Sequence, residues 1–280
     1  MVKSLKRWGW VFAGPTFIAF IIGFIIPFVL GVYLSFTKFT TVTNSTWVGL
    51  SNYEKVIGDD QFIHSLWYTT LFTIVTTVAI NVLAFFVAYM LTKKFKGTNL
   101  FRGVFFMPNL IGGIILGYVW QLLLNGVLEW WNRTITYSEW YGFWGMVILL
   151  SWQQIGYMMV IYIAGIQGIS DEVIEAARVD GATNGQIVRR VMLPLLMPSI
   201  TVCTFLTVTN GFKMFDQNLA LTNGAPSRLS ELLALNIYNT FYGRVGFEGV
   251  GQAKAVIFFI IVAIIALIQN RITTSKEVKA

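Results

Sequence analysis

Six predominantly apolar runs, each long enough for a helix that crosses a bilayer, constrain this chain more than any other feature. They cover roughly residues 10–36, 66–91, 104–124, 141–167, 195–215 and 251–269. A spanning helix needs about 20 apolar residues, whereas a barrel strand needs about 10 alternating ones. Runs of this length therefore specify helices. Composition agrees: 12% of residues are charged, against about 25% in soluble domains. The expected fold class is all-α, a polytopic membrane protein with six transmembrane helices in one membrane domain over 1–280. The first run follows Lys3, Lys6 and Arg7, as a signal peptide would. It is longer than a signal h-region and lacks a small-residue cleavage site, so it reads as an uncleaved span.

An even number of spans places both termini on one side, and charge selects the side. Lys93, Lys94, Lys96, Arg102, Arg178, Arg189, Arg190, Arg271, Lys276 and Lys279 all fall on the side of Lys3, Lys6 and Arg7. Lys38, Lys55, Arg133, Lys213, Arg228, Arg244 and Lys254 fall on the other, several of them beside acids. By the positive-inside rule both termini are expected in the cytoplasm of a bacterial plasma membrane. The net charge of +7 then needs no nucleic acid to explain it. Trp130, Trp131, Tyr137, Trp140 and Tyr141 cluster where an aromatic belt would anchor the opposite face. On that face Ser51 and Glu54 have capping-box spacing and open a short amphipathic stretch toward Trp67.

Residues 168–194 are a polar island between the fourth and fifth runs. Ser170 is placed to cap a helix whose first turn holds Asp171 and Glu172, where acids suit the helix dipole. Gly181 takes the position where a helix ends in a left-handed conformation. Thr183 and Gln186 have capping-box spacing for a second helix, which carries Arg189 and Arg190 and should stop before Pro194. The expected shape is a short helix–glycine–helix elbow on the cytoplasmic side.

Catalytic chemistry is poorly represented. There is no G-x-x-x-x-G-K-[ST] run and no dinucleotide fingerprint. Cys203 is the only cysteine and His64 the only histidine, which excludes a multi-His or Cys-rich metal site. Cys203 lies in an apolar run and is expected to pack. The deep polar residues are amides and hydroxyls: Asn81, Gln121, Gln153, Gln154, Tyr157, Thr207 and Asn210. Amides do no acid–base work at neutral pH but hydrogen-bond neutral polar solutes well. A transporter without buried acids and without a nucleotide site must take its energy from another subunit.

The island also carries a resemblance. Glu175-Ala176-Ala177-Arg178-Val179-Asp180-Gly181-Ala182, followed by Leu193-Pro194 and Pro198, is similar to the EAA loop of permease subunits from binding-protein-dependent ABC importers. Gly49-Leu50-Ser51-Asn52-Tyr53, Phe101-Arg102 with Phe106-Met107-Pro108, and Phe215-Asp216 with Leu221-Thr222-Asn223-Gly224-Ala225-Pro226 resemble landmarks of the carbohydrate-uptake branch, in particular its MalF-like member. Ala225 stands where that branch often has a second glycine, which leaves the form of that turn open. The resemblance implies the type I importer permease fold. It also implies a homologous second permease, two ATP-binding cassette subunits that bind the ATP and Mg, an extracellular solute-binding protein and a sugar substrate. It implies that Glu175, Ala176, Ala177, Arg178, Asp180 and Gly181 seat the elbow in a groove on the ATPase, and that this chain hydrolyses nothing and holds no cofactor.

Polar-lined helices near the midplane are where transport sites lie. Gln153, Gln154 and Tyr157 share a helix face, as do Thr207, Asn210, Gly211 and Met214. Together they are the expected substrate pathway, with Trp152 or Tyr118 available for sugar stacking. The bland alternative for each amide is helix–helix glue. Lys213 and Asp216 are expected to pair structurally, and an unpaired Lys213 would favour an anionic sugar. Two other readings stay open: a permease for a sugar phosphate or polyol, and a self-contained secondary carrier. The carrier lacks the buried acid it would need, and a membrane enzyme lacks a catalytic set.

Overall fold

A computed structural model describes residues 11, 13–41, 43–93 and 96–275. Trp10 and the counted charges Lys3, Lys6, Arg7, Lys94, Lys276 and Lys279 lie outside the described residues. The elements in chain order are α1 (Ala13–Ser35), a hairpin of β1 (Thr37–Thr41) and β2 (Asn44–Trp47), α2 (Ser51–Ile57), α3 (Asp60–Leu91), α4 (Thr98–Phe106), α5 (Gly113–Leu128), α6 (Glu139–Gln167), α7 (Asp171–Val179), α8 (Asn184–Leu195), α9 (Met197–Phe212), α10 (Asp216–Leu221), α11 (Leu233–Gly243) and α12 (Glu248–Thr274). Five helices are long and apolar enough to cross a membrane, and six if the bent pair α8–α9 is one span. The helical fold is as expected; the small antiparallel hairpin is an addition.

The chain forms two compact units: Met1–Asp60 with Ile237–Ile260, and Gln61–Asn236 with Ile261–Ala280. The smaller is organised by Asn52, whose buried Nδ2 donates to the Ser35 and Thr37 carbonyls at 2.9 Å each. It ties α2 to the end of α1. Lys254, 1% exposed, bonds Asp59 Oδ2 at 2.7 Å and Thr240 Oγ1 at 2.8 Å, so its charge is neutralised where it is buried. Most of the apolar surface of α1 stays exposed, available to lipid or protein neighbours.

In the larger unit α6 is the axis. Phe143, Met146, Leu149, Leu150, Met158, Met159 and Tyr162 are buried against Tyr68, Phe72 and Ile80 of α3, Cys203 of α9 and Leu221 of α10. Cys203 is fully buried and free of any disulfide, in keeping with a packing role. The buried stripe of α3 alternates small and large residues, including Ser65, Thr69, Thr73, Thr76, Ala84 and Ala88. Small residues bring helices close where lipid supplies no hydrophobic drive for association.

Several boundaries differ from expectation for identifiable reasons. The expected cap Ser51 sits inside α2 instead; Leu50 occupies the cap position without a side-chain bond. The stretch toward Trp67 is the start of α3 itself, a helix of 32 residues. At 1.5 Å per residue it is about 48 Å long and outreaches the bilayer core. The third run is broken: Met107–Leu110 is a 3₁₀ turn, and Ile111 and Gly112 are extended before α5 begins. Pro108 removes a donor and the glycine pair disfavours helix, so the span shifts toward Gly113–Trp131. The second elbow helix does not stop before Pro194. It winds as a π-helix over Ile187–Met192, passes through the proline, and turns by 73° at Leu196. Lys213 and Asp216 are both exposed, and no ion pair joins them among the described residues.

Candidate coupling elbow and polar wall

The elbow is fixed almost entirely by its own backbone. Helix α7 ends as its glycine requires: Gly181 has φ +80°, a conformation that costs a side-chain-bearing residue strain. The Ala182 N–H donates to the Ala177 carbonyl and the Gly181 N–H to the Arg178 carbonyl, both at 3.0 Å. These are the paired bonds of a Schellman termination. Two residues on, Thr183 opens α8 with a complete capping box: its N–H donates to Gln186 Oε1 at 2.8 Å and its Oγ1 accepts from the Gln186 N–H at 3.4 Å. Ser170 occupies the cap position of α7, but its side chain makes no cap bond.

Packing then sorts the elbow into two faces. Ile174, Ala177 and Ala182 lie against a small core of Ile187, Met192 and Leu196. Of the expected docking residues, Glu175, Ala176, Arg178, Asp180 and Gly181 are exposed, whereas Ala177 is half-buried in the elbow's own core. Sequence reasoning missed Val179, which is 88% exposed. Glu172, Glu175, Ala176 and Val179 follow helical spacing and form one outward face. That face is a small apolar knob rimmed by carboxylates, on a scaffold locked where the two helices meet. Its shape and chemistry suit insertion into a groove.

The expected polar wall is divided. Thr207 is 1% exposed and belongs to a satisfied network. Its Oγ1 donates to the Cys203 carbonyl at 2.8 Å and accepts from Asn81 Nδ2 at 3.0 Å, while Tyr162 Oη donates to Asn81 Oδ1 at 2.7 Å. This is glue among α3, α6 and α9. Gly211 is a packing position: a Cβ there would come within 2.9 Å of Thr73 Oγ1. Met214 is buried in the main core. Gln153 is also buried; its Oε1 accepts from Gln217 at 2.8 Å and its Nε2 donates to the Ile111 carbonyl at 3.3 Å. Gln217 was not foreseen, because nothing in its local spacing points toward α6.

What remains is Gln154 and Asn210, both half-buried, with Asn210 Nδ2 donating to Gln154 Oε1 at 3.1 Å. Among the described residues Gln154 Nε2 and Asn210 Oδ1 make no hydrogen bond. The pair therefore offers one donor and one acceptor side by side. Tyr157, half-buried, packs edge-on against Phe106. Trp152 and Tyr118 are 43% and 58% exposed, and Trp120 meets Trp152 at 5.5 Å between ring centroids. No group of metal-ligating side chains occurs among the described residues.

Comparison with known proteins follows the same lines. Residues 80–276 match the model of the family described as binding-protein-dependent transport system inner membrane component. The chain is 41% identical over 97% of its length, and over 96% of the relative's, to the probable starch degradation products transport system permease protein AmyD of Thermoanaerobacterium thermosulfurigenes. It is 30% identical to the multiple sugar-binding transport system permease protein MsmF of Streptococcus mutans, covering 98% of this chain and 97% of the relative. A solved bacterial ABC transporter involved in alginate import superimposes with a TM-score of 0.81 over 98% of both chains at 20% identity, which shows the same fold. The chain belongs to the binding-protein-dependent transport system inner membrane components, and is a multi-pass permease of that family.

Proposed function

We propose that this chain is the permease subunit of an ATP-driven importer of a sugar or oligosaccharide, and that it hydrolyses no ATP itself. It pairs with a homologous permease, receives its solute from an extracellular binding protein, and is driven by two ATP-binding cassette subunits that hold the ATP and Mg. The termini and the elbow face the cytoplasm, in keeping with the distribution of Lys and Arg. The observation that carries the reading is the elbow. A capped, stiff turn presenting Glu175, Ala176 and Val179 outward can transmit force without deforming. ATP binding would draw the paired elbows together and turn the spans outward.

A sugar is favoured by the names of the relatives AmyD and MsmF, and by the Gln154–Asn210 pair. A hydroxyl both donates and accepts, so it complements an adjacent amide donor and carbonyl. Replacing Gln154 and Asn210 together by Ala should cut uptake by reconstituted transporter at least tenfold, the loss of one to two hydrogen bonds to solute. Affinity of the binding protein should not change. Normal uptake in that variant refutes the pathway. Exposed Lys213, without an ion-pair partner among the described residues, favours a second reading in which the sugar is acidic. Lys213→Gln would then weaken uptake of a uronate-containing oligosaccharide and spare a neutral one.

A further inference from the structure

Beside the elbow, within the larger unit, lies a groove of about 990 Å³, of whose lining only Arg178 belongs to the expected docking set. One wall carries Lys93, Lys96 and Arg102; the other carries Arg178 and a single carboxylate, Asp171. None of the four cations forms an ion pair among the described residues. Topology accounts for cations on this side of a membrane, Arg102 among them, but it does not account for the burial of the Arg102 guanidinium. Its Nε is buried and has no hydrogen-bond partner among the described residues. Leaving a buried guanidinium N–H unsatisfied is costly, and a space beside it that concentrates positive charge invites an acceptor. The same groove is bordered by Thr98 and Asn99 at the start of α4 and by Ser170 and Asp171 at the start of α7, and neither helix has a side-chain cap. Their first-turn amides add partial positive charge to the same space.

We propose that this groove binds a phosphate-type oxyanion, either a soluble phosphomonoester or the headgroup of an anionic lipid, with Arg102 and Arg178 as its main ligands. Two guanidinium groups match the oxygens of one phosphate in a way that two ammonium groups do not. The volume leaves room for an organic part beyond the phosphate. Because the walls come from α4 and α7, a bound anion ties the coupling helix to a second element and stiffens the elbow. The site thus has a regulatory position without belonging to the solute pathway.

The test uses the full chain in nanodiscs at physiological ionic strength and reads the melting temperature, so it stands apart from any uptake assay. In one arm, discs of phosphatidylcholine alone are titrated with glycerol 3-phosphate, with glycerol as the neutral control. In the other, discs containing phosphatidylglycerol are compared with phosphatidylcholine discs in the absence of soluble anion. Saturable stabilisation in the first arm identifies a soluble phosphomonoester; stabilisation in the second alone identifies a lipid headgroup. Arg178→Gln, a change at an exposed side chain, should raise the half-saturating concentration about tenfold or remove the lipid effect, as loss of a charge-assisted bond predicts. Lys38→Gln, the same charge change on β1 of the other unit, should leave both intact. Absence of stabilisation in both arms overturns the proposal. So does stabilisation that Arg178→Gln leaves unchanged, or that the two variants reduce equally.

Discussion

In the elbow, the bonds that set the backbone join residues no more than five apart: Thr183 with Gln186, Gly181 with Arg178, Ala182 with Ala177. In the polar wall of the spans the partners are distant, with Gln154 bonding Asn210 across 56 residues, Gln153 bonding Gln217 across 64 and Asn81 bonding Thr207 across 126. Both regions set polar groups among apolar ones, but they are built to different ends. The elbow closes its hydrogen bonds internally and leaves its outward face free. The wall uses most of its side chains to hold helices together and leaves one amide pair incompletely bonded. The elbow is thus stiff by itself, whereas the wall is stiff only through its neighbours.

The strongest way to break this contrast is at Gly181. Gly181→Asp forces a side chain into φ +80° and places a carboxylate on the exposed turn. The subunit should still insert, because no neighbouring atom lies within 4 Å of the new Cβ. Substrate-stimulated ATP hydrolysis of the assembled transporter should fall to background. Wild-type stimulation would show that the turn does not couple.

The same contrast explains what could be read from the sequence. Gly181, Thr183 and Gln186 act through neighbours in the chain, so their roles were legible from spacing. The apolar runs likewise gave the helical kind of the spans, and six of them when the bent pair α8–α9 counts as one. The wall was legible only as a set of residue types. Whether Thr207 is glue and Gln154 is open depends on Asn81 and Asn210 arriving from other helices, which no local pattern encodes. Pro194 misled for a related reason: a π-wound turn absorbs it, and the break falls at Leu196. Val179 was overlooked because its exposure depends on which face of α7 the core of Ile187, Met192 and Leu196 covers.

A second, smaller effect sharpens the wall. Asn81→Leu removes the acceptor to which the Tyr162 hydroxyl donates at 2.7 Å. The cost should be about 1–2 kcal/mol, modest because helices unfolded in lipid find other partners. Thermal unfolding in detergent measures it, and Tyr162→Phe added to Asn81→Leu should recover much of the loss. No recovery would mean that the network is not a unit. Smallest of all, Thr183→Ala removes the cap of α8 at about 0.5–1 kcal/mol. Amide exchange should quicken at Gln186 and its neighbours and nowhere in α6. Faster exchange throughout α6 would deny the elbow its local character.

On the proposed function, the outward face of α7 is what the ATPase grips. Cys203 is buried and is the only native cysteine, so an introduced cysteine can be labelled selectively. Val179→Cys and Val245→Cys, at positions 88% and 95% exposed, would each be labelled with a photoactivated maleimide crosslinker in the purified transporter. A crosslink to the ATPase subunit from position 179 and none from position 245 is the predicted result. Efficient labelling at 179 without a crosslink, while the ATPase remains in the complex, would contradict it.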